Sequence, residues 1–196
     1  MVQSALHLKY NNRVGTITTS GTNFRLITNV GASISQGIES YIEFNPIRAF
    51  TNSQTTDVIL FSSYAYTNAT YSSDHKDANT KGKKVENAPT DIFRGGISYG
   101  YKNLLITAQL SFVGASFSDA NNTVAAITNG NTGRIPSYSI TDLTGSYKFS
   151  KMLQLKAGIN NLLDKRYFTR RAGGYPGPGA LPSDGRSLFI SIGAKL

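Results

Sequence analysis

The chain contains no cysteine and no tryptophan. A disulfide framework, a catalytic thiol and a cysteine-based zinc site are thereby excluded. Only two histidines are present, His7 and His75, far apart and without a serine and aspartate constellation, so no hydrolytic triad can be drawn. No stretch approaches the roughly 18 consecutive apolar residues of a membrane-spanning helix, so any crossing of a membrane must use strands. The start, Met1-Val2-Gln3-Ser4, lacks the basic and apolar regions of a secretory signal. If the chain is exported, its address lies outside this sequence, which points to a fragment.

Charge and bulk hydrophobicity are also low. Charged residues make up 16% and hydrophobic residues 39%, against roughly 25% and 45–50% in an average soluble domain. Their place is taken by Gly (19), Tyr (11), Phe (10) and many Ser, Thr and Asn, the residues of pleated strands and turns. The net charge is +9, yet Lys and Arg are scattered over loops and strand ends, not gathered in one block. No nucleic-acid partner is expected from that distribution.

Apolar and polar residues alternate with a period of two in segments of about ten residues. The clearest is Leu153-Gln154-Leu155-Lys156-Ala157-Gly158-Ile159-Asn160. Segments of this kind predict eight strands, at about 2–10, 32–44, 56–70, 90–101, 104–116, 138–149, 152–163 and 186–196. The connections alternate in length: 46–54, 102–103 and 150–151 are short, whereas 11–31, 71–89, 117–137 and 164–185 are long and rich in Gly, Asn, Asp and Pro. Short turns on one rim and long loops on the other are the habit of outer-membrane barrels, whose loops face outwards. The polar face carries Glu39, Glu43, Arg94, Asp142, Lys148, Lys156 and Asn160, while Phe44, Tyr99, Tyr101, Tyr147 and Phe149 lie beside the short turns and Tyr66 towards the other rim. That is the pattern of a lumen and an aromatic girdle. The fold class expected is all-β, an antiparallel transmembrane β-barrel, with a soluble β-sandwich as the alternative. With Leu196 closing the last strand, that strand would run down to the periplasmic rim.

Several stretches are more specific than periodicity. The run Ile135-Pro136-Ser137-Tyr138-Ser139-Ile140-Thr141-Asp142-Leu143, then Tyr147, then Leu155 to Tyr167 with its Asn160-Asn161-Leu162-Leu163-Asp164-Lys165-Arg166-Tyr167 block, resembles the C-terminal signature of TonB-dependent outer-membrane receptors. Ile34-Ser35-Gln36-Gly37-Ile38-Glu39 is similar to their Gly-x-Glu strand, and Glu86-Asn87-Ala88-Pro89 to their Asn-x-Pro strand entry. The stretch from Phe168 to Gly179, followed by Pro182 to Arg186, is similar to the last outer loop of the ferric citrate, Fe(3+) dicitrate, branch.

The resemblance implies that residues 1–196 are the C-terminal part of a receptor barrel domain, the last eight of about 22 strands. It also implies a bacterial outer-membrane location, a ferric chelate of citrate or siderophore type as ligand, and contact with the TonB complex only through a plug domain. The plug, the TonB-contacting box and the signal peptide are missing from this sequence, and Leu196 stands where the family usually ends in Phe. No cofactor and no enzymatic chemistry are implied.

Positive residues on the long-loop side, Lys81, Lys83, Lys84, Arg134, Arg170, Arg171 and Arg186, are the candidate ligand residues, because guanidinium forks bind carboxylates bidentately. The bland reading is solvation, and a third is contact with lipopolysaccharide phosphates and other outer-membrane lipid. Asn160, Asn161, Asp164 and Tyr167 are read as a structural motif, in which Asn160, Asn161 and Asp164 satisfy backbone groups where a strand ends and turns. Asp77 to Gly82 opens like a calcium loop but has Ala88 where a bidentate Glu belongs, so no metal site is expected. Gly173 to Gly179 is broken by Pro176 and Pro178 and reads as a stiff loop, not a phosphate cradle. The other architecture to weigh is a self-contained eight-stranded barrel with a structural or adhesion role.

Overall fold

β-Branched and aromatic residues at alternate positions build strands wherever Gly, Asn and Pro do not interrupt them. The computed structural model describes all residues except 19–24, 75–78, Pro176 and Leu196, so His75, Asp77 and the terminal leucine lie outside the described residues. The elements are β1 (Val2–Tyr10), β2 (Val14–Thr18), β3 (Arg25–Asn29), β4 (Ser33–Phe44), α1 (Pro46–Phe50), β5 (Thr56–Tyr71), β6 (Asp91–Tyr101), β7 (Leu104–Val113), β8 (Ser116–Phe117), β9 (Arg134–Ile135), β10 (Tyr138–Lys148), β11 (Leu153–Asn160), β12 (Phe168–Ala172), β13 (Gly179–Pro182) and β14 (Ser187–Ala194). All eight predicted strands are present. They form one antiparallel sheet in the order β1-β4-β5-β6-β7-β10-β11-β14. The long connections, read from sequence as loops, add three small hairpins: β2 with β3, β8 with β9 and β12 with β13. The stretch expected to be a stiff loop, Gly173 to Gly179, connects the two strands of the last hairpin.

Register separates the two faces. One row runs Phe44, Leu60, Ile97, Ala108, Leu143, Ile159 and Leu188 across seven neighbouring strands, apolar at every position. The row displaced by one residue reads Glu43, Phe61, Gly96, Gln109 and Asp142 and faces the other way. Glu39, Arg94, Lys148, Lys156 and Asn160 share that inner face, as the alternation predicts. Phe189, the large inner residue of β14, lies where Gly158 leaves room, since a Cβ there would stand 2.4 Å from its ring.

The soluble sandwich is overturned. Its requirement was a dry layer around Leu155, Ile159, Ile190 and Ile192, whereas Ile190 and Ile192 are 77% and 72% exposed and no second sheet covers them. Nor do the eight strands close on one another: β1 and β14 stand at opposite edges of the sheet and are not paired. The self-contained barrel therefore loses its support. β1 departs from the common pattern, because Leu6 and Leu8 pair with Gly37 and Ser35 on the inner face while His7 and Lys9 point outwards.

The short-turn rim is built locally. Lys102 takes a left-handed φ of 51° between β6 and β7. The 46–54 connection contains one helical turn, α1, where Asn45 caps by accepting from the Arg48 N–H at 2.9 Å and Pro46 opens the helix. Among the described residues no helix is long and apolar enough to cross a membrane. Phe44, Tyr99, Tyr101 and Tyr147 stand at this rim on the outer face, with Tyr147 edge-on to Phe149 at 4.9 Å. Tyr64 and Tyr66 mark the outer face towards the other rim.

Candidate functional site

The long loops do not hang separately over the sheet. Ile17, Val30, Ala69, Tyr71, Val85 and Ala120 bury one another into a small core contributed by three different connections and the end of β5. Several polar groups around it are paired, although the buried Ser33 hydroxyl beside Tyr71 has no partner among the described residues. The Thr80 hydroxyl donates to the Val30 carbonyl at 2.6 Å, the Tyr71 hydroxyl donates to Glu86, and the Thr123 hydroxyl donates to the fully buried Asp119 at 2.8 Å. Lys84 and Asn122 exchange two bonds, N–H to Oδ1 at 2.7 Å and Nδ2–H to carbonyl at 2.8 Å, and so join the 71–89 and 117–137 connections.

The predicted cations fall into two groups on this scaffold. In the first, Arg171 on β12 donates through one guanidinium nitrogen to the Gly130 carbonyl at 2.7 Å and through another to the Arg134 carbonyl at 3.3 Å, with its head 4.9 Å from the centre of the Phe168 ring. Partial burial pulls its guanidinium below the usual arginine range. Arg171 is thus a latch between two outer hairpins. Arg134 and Arg170 flank it with exposed side chains. Arg186 is exposed as well, at the start of β14, its backbone N–H donating to Asp164 at 2.9 Å. In the second group, the Lys84 ammonium donates to Asn68 at 2.6 Å, Lys83 is half-buried, and Lys81 is exposed with its backbone N–H on Asp74.

The Asn-Asn-Leu-Leu-Asp block closes the loop end of β11. Asn161 and Asp164 both adopt a positive φ, 50° and 51°, a conformation that Asn and Asp tolerate. Asn161 accepts from the Lys165 N–H at 2.8 Å and donates to the Lys165 carbonyl at 2.9 Å, while its own N–H reaches Asp142 at 2.8 Å. Asp164 accepts from Arg186, whose N–H, with the nearby Arg166 guanidinium, holds the carboxyl below the usual range. Asn160, expected to satisfy backbone, does not: strand alternation turns it to the inner face, where it meets the Ser187 hydroxyl at 3.3 Å. Tyr167 stacks on Tyr138, ring centres 4.5 Å apart.

Tyr138 is a residue that motif reasoning used but assigned no role. Register puts it on the inner face, one row towards the loops from Arg94, so an aromatic pair and a cation line the inner wall beneath the arginine rim. Parity alone could have found it. Further down the same wall lies a cavity of about 640 Å3 bounded by Thr107, Thr144, Lys148, Lys156 and Phe189. Among the described residues no cluster of His, Asp or Glu could hold a metal ion.

Comparison with known proteins agrees. Residues 4–162 match the family model described as TonB dependent receptor-like, beta-barrel. The metal-pseudopaline receptor CntO of Pseudomonas aeruginosa is 25% identical over 98% of this chain and 24% of its own length. The unliganded ferric citrate transporter FecA superposes with a TM-score of 0.78 at 25% identity, covering 97% of this chain and 28% of that one. The siderophore receptor PiuA from Acinetobacter baumannii shares the fold with a TM-score of 0.65 at 21% identity, over 98% of this chain and 25% of that one. The chain spans about a quarter of the length of these relatives. These relatives are transport receptors and not enzymes, and the family's place is the outer membrane of Gram-negative bacteria. With its eight antiparallel strands, outward apolar face and polar inner wall, the chain belongs to the TonB-dependent receptor-like β-barrel family.

Proposed function

We propose that residues 1–196 form the C-terminal wall and outer loops of a receptor that takes up a ferric chelate, of the iron-citrate or siderophore type. The wall binds and guides cargo and performs no covalent chemistry; energy comes from a TonB complex acting on a plug carried elsewhere in a longer protein. The observation that carries this reading is the cation-rich loop end of the sheet, where Arg134 and Arg170 are exposed beside the Arg171 latch and Arg94 and Tyr138, stacked on Tyr167, lie on the inner face. Guanidinium groups above a lumen fit the carboxylates of an iron-citrate-like anion. The test is uptake of radioactive iron by cells whose only ferric citrate receptor contains this chain. Arg134→Gln with Arg170→Gln should raise the half-saturating chelate concentration about tenfold, roughly 1.4 kcal/mol. Unchanged half-saturation would remove the assignment of these arginines, and no uptake by the unaltered receptor would remove ferric citrate as cargo.

A second reading, a chelate of another metal, is favoured by the likeness to a metal-pseudopaline receptor along 98% of this chain. Uptake of zinc, nickel or cobalt chelates in the same cells separates the two.

A further inference from the structure

The outward face of β1, β4 and β5 changes character above Tyr64 and Tyr66. Below that level its side chains include Phe44, Leu60 and Ile42; two residues above Tyr66 the row is His7, Gln36 and Asn68, and two further on it is Lys9, Ile34 and Thr70, with Lys84 bridged to Thr70. Tyrosines on a lipid-facing surface sit at headgroup level. At about 3.3 Å per residue along tilted strands, Lys9 and Lys84 stand roughly 10 Å above Tyr66, in the headgroup layer of the outer leaflet.

Their surroundings suit an anion. No outward position of β1, β4 or β5 is Asp or Glu. The acidic groups nearby are already engaged: Asp91 accepts from the Tyr64 hydroxyl at 2.6 Å, Asp74 from the Lys81 N–H at 2.7 Å and Glu86 from the Tyr71 hydroxyl. Lys84 is held in place by Asn68, which leaves two of its three N–H donors for a ligand. His7 is set by Gln36 at 3.0 Å. Three strand spacings, about 14 Å, separate the backbones carrying Lys9 and Lys84, a span on the scale of a headgroup that carries two phosphates.

We infer that Lys9, His7 and Lys84 form a binding site for the phosphates of the glycolipid of the outer leaflet. Charge complementarity and position select this occupant: the site faces away from the lumen, beside the apolar band, where a phosphorylated headgroup lies and soluble cargo does not pass. The site goes beyond the uptake reading, and failure of ferric citrate uptake leaves it standing.

The test uses a whole receptor that contains this chain, extracted from outer membranes into detergent and titrated with diphosphorylated lipid A under native mass spectrometry, with phosphatidylcholine and inorganic phosphate as comparators. The Lys9→Gln, Lys84→Gln double variant should bind lipid A about tenfold or more weakly, while Lys151→Gln at the opposite rim binds as the unaltered protein does. Lys9→Glu alone, at an exposed edge position outside the loop core, should weaken binding without disturbing the fold. Equal lipid A affinity in these variants, an equal loss in Lys151→Gln, or phosphatidylcholine bound as tightly as lipid A would overturn the site. Inorganic phosphate displacing lipid A at equimolar concentration would overturn its assignment to lipid.

Discussion

At the scale of single residues, the end of β11 concentrates several constraints on Asn161. Asn161 is 3% exposed, left-handed, and bonded through both side-chain atoms and its own N–H. Replacement by Ala removes the side-chain bonds, strands buried backbone groups and keeps an unfavourable φ, which together cost about 3 kcal/mol. Urea unfolding in detergent of a whole receptor that contains this chain should show a lowered midpoint for Asn161→Ala and a smaller loss for Asn161→Gly, where the φ penalty vanishes. Equal losses would mean that backbone conformation plays no part. Asp164 adds a pH dependence. Its carboxyl is held low by the Arg186 N–H first and Arg166 second, so its contribution is complete above the unfolded value of about 3.9 and disappears as pH falls through the lower folded one. Between about pH 5 and pH 2 the midpoint of the unaltered protein should therefore fall more steeply than that of Asp164→Asn. Parallel curves would show that the carboxylate charge is not what Arg186 and Arg166 stabilise. Both residues were legible in sequence because Asn and Asp at a strand exit have a stated preference for this geometry. Asn160 was misread because adjacency in sequence means opposite faces in a strand.

At the scale of elements, the eight long strands were legible because each spans enough residues for a period of two to repeat. The hairpins in the loops were not: β8 and β9 have two residues each, and β12 and β13 have five and four, too few for alternation to register. What creates them is tertiary, such as the Arg171 fork on the Gly130 and Arg134 carbonyls, which no local pattern announces. β14 offers the sharpest test of the two faces. Ile190 points out and Ser191 points in, paired with Ala157 and Lys156. In lipid bilayers, Ile190→Arg should destabilise by about 2–4 kcal/mol, the cost of a cation in hydrocarbon, and Ser191→Arg by under about 1 kcal/mol. Folding titrations in urea with lipid vesicles measure both, and a larger loss for Ser191→Arg would invert the assigned faces.

At the scale of the whole molecule, the sheet has two unsatisfied edges. β14 turns one side of its backbone to β11 and β1 one side to β4, and neither pairs with the other. Hydrocarbon cannot satisfy a row of unpaired N–H and C=O groups, so an open arc is not a stable membrane structure. Water satisfies those groups but not the outward row from Phe44 to Leu188, and an exposed edge beside an apolar face is a template for association. The two solvents fail for opposite reasons. Only further strands against β1 and β14 meet both demands, because pairing satisfies the edges and a closed sheet gives all of its apolar face to lipid. Made alone, the 196-residue chain should accordingly collect in inclusion bodies and, when refolded into detergent, migrate on semi-native gels as mixed oligomers instead of one heat-modifiable band. A monodisperse monomer obtained without detergent would show that the outward apolar face finds cover within the chain itself, and the membrane-facing assignment of that row would be wrong.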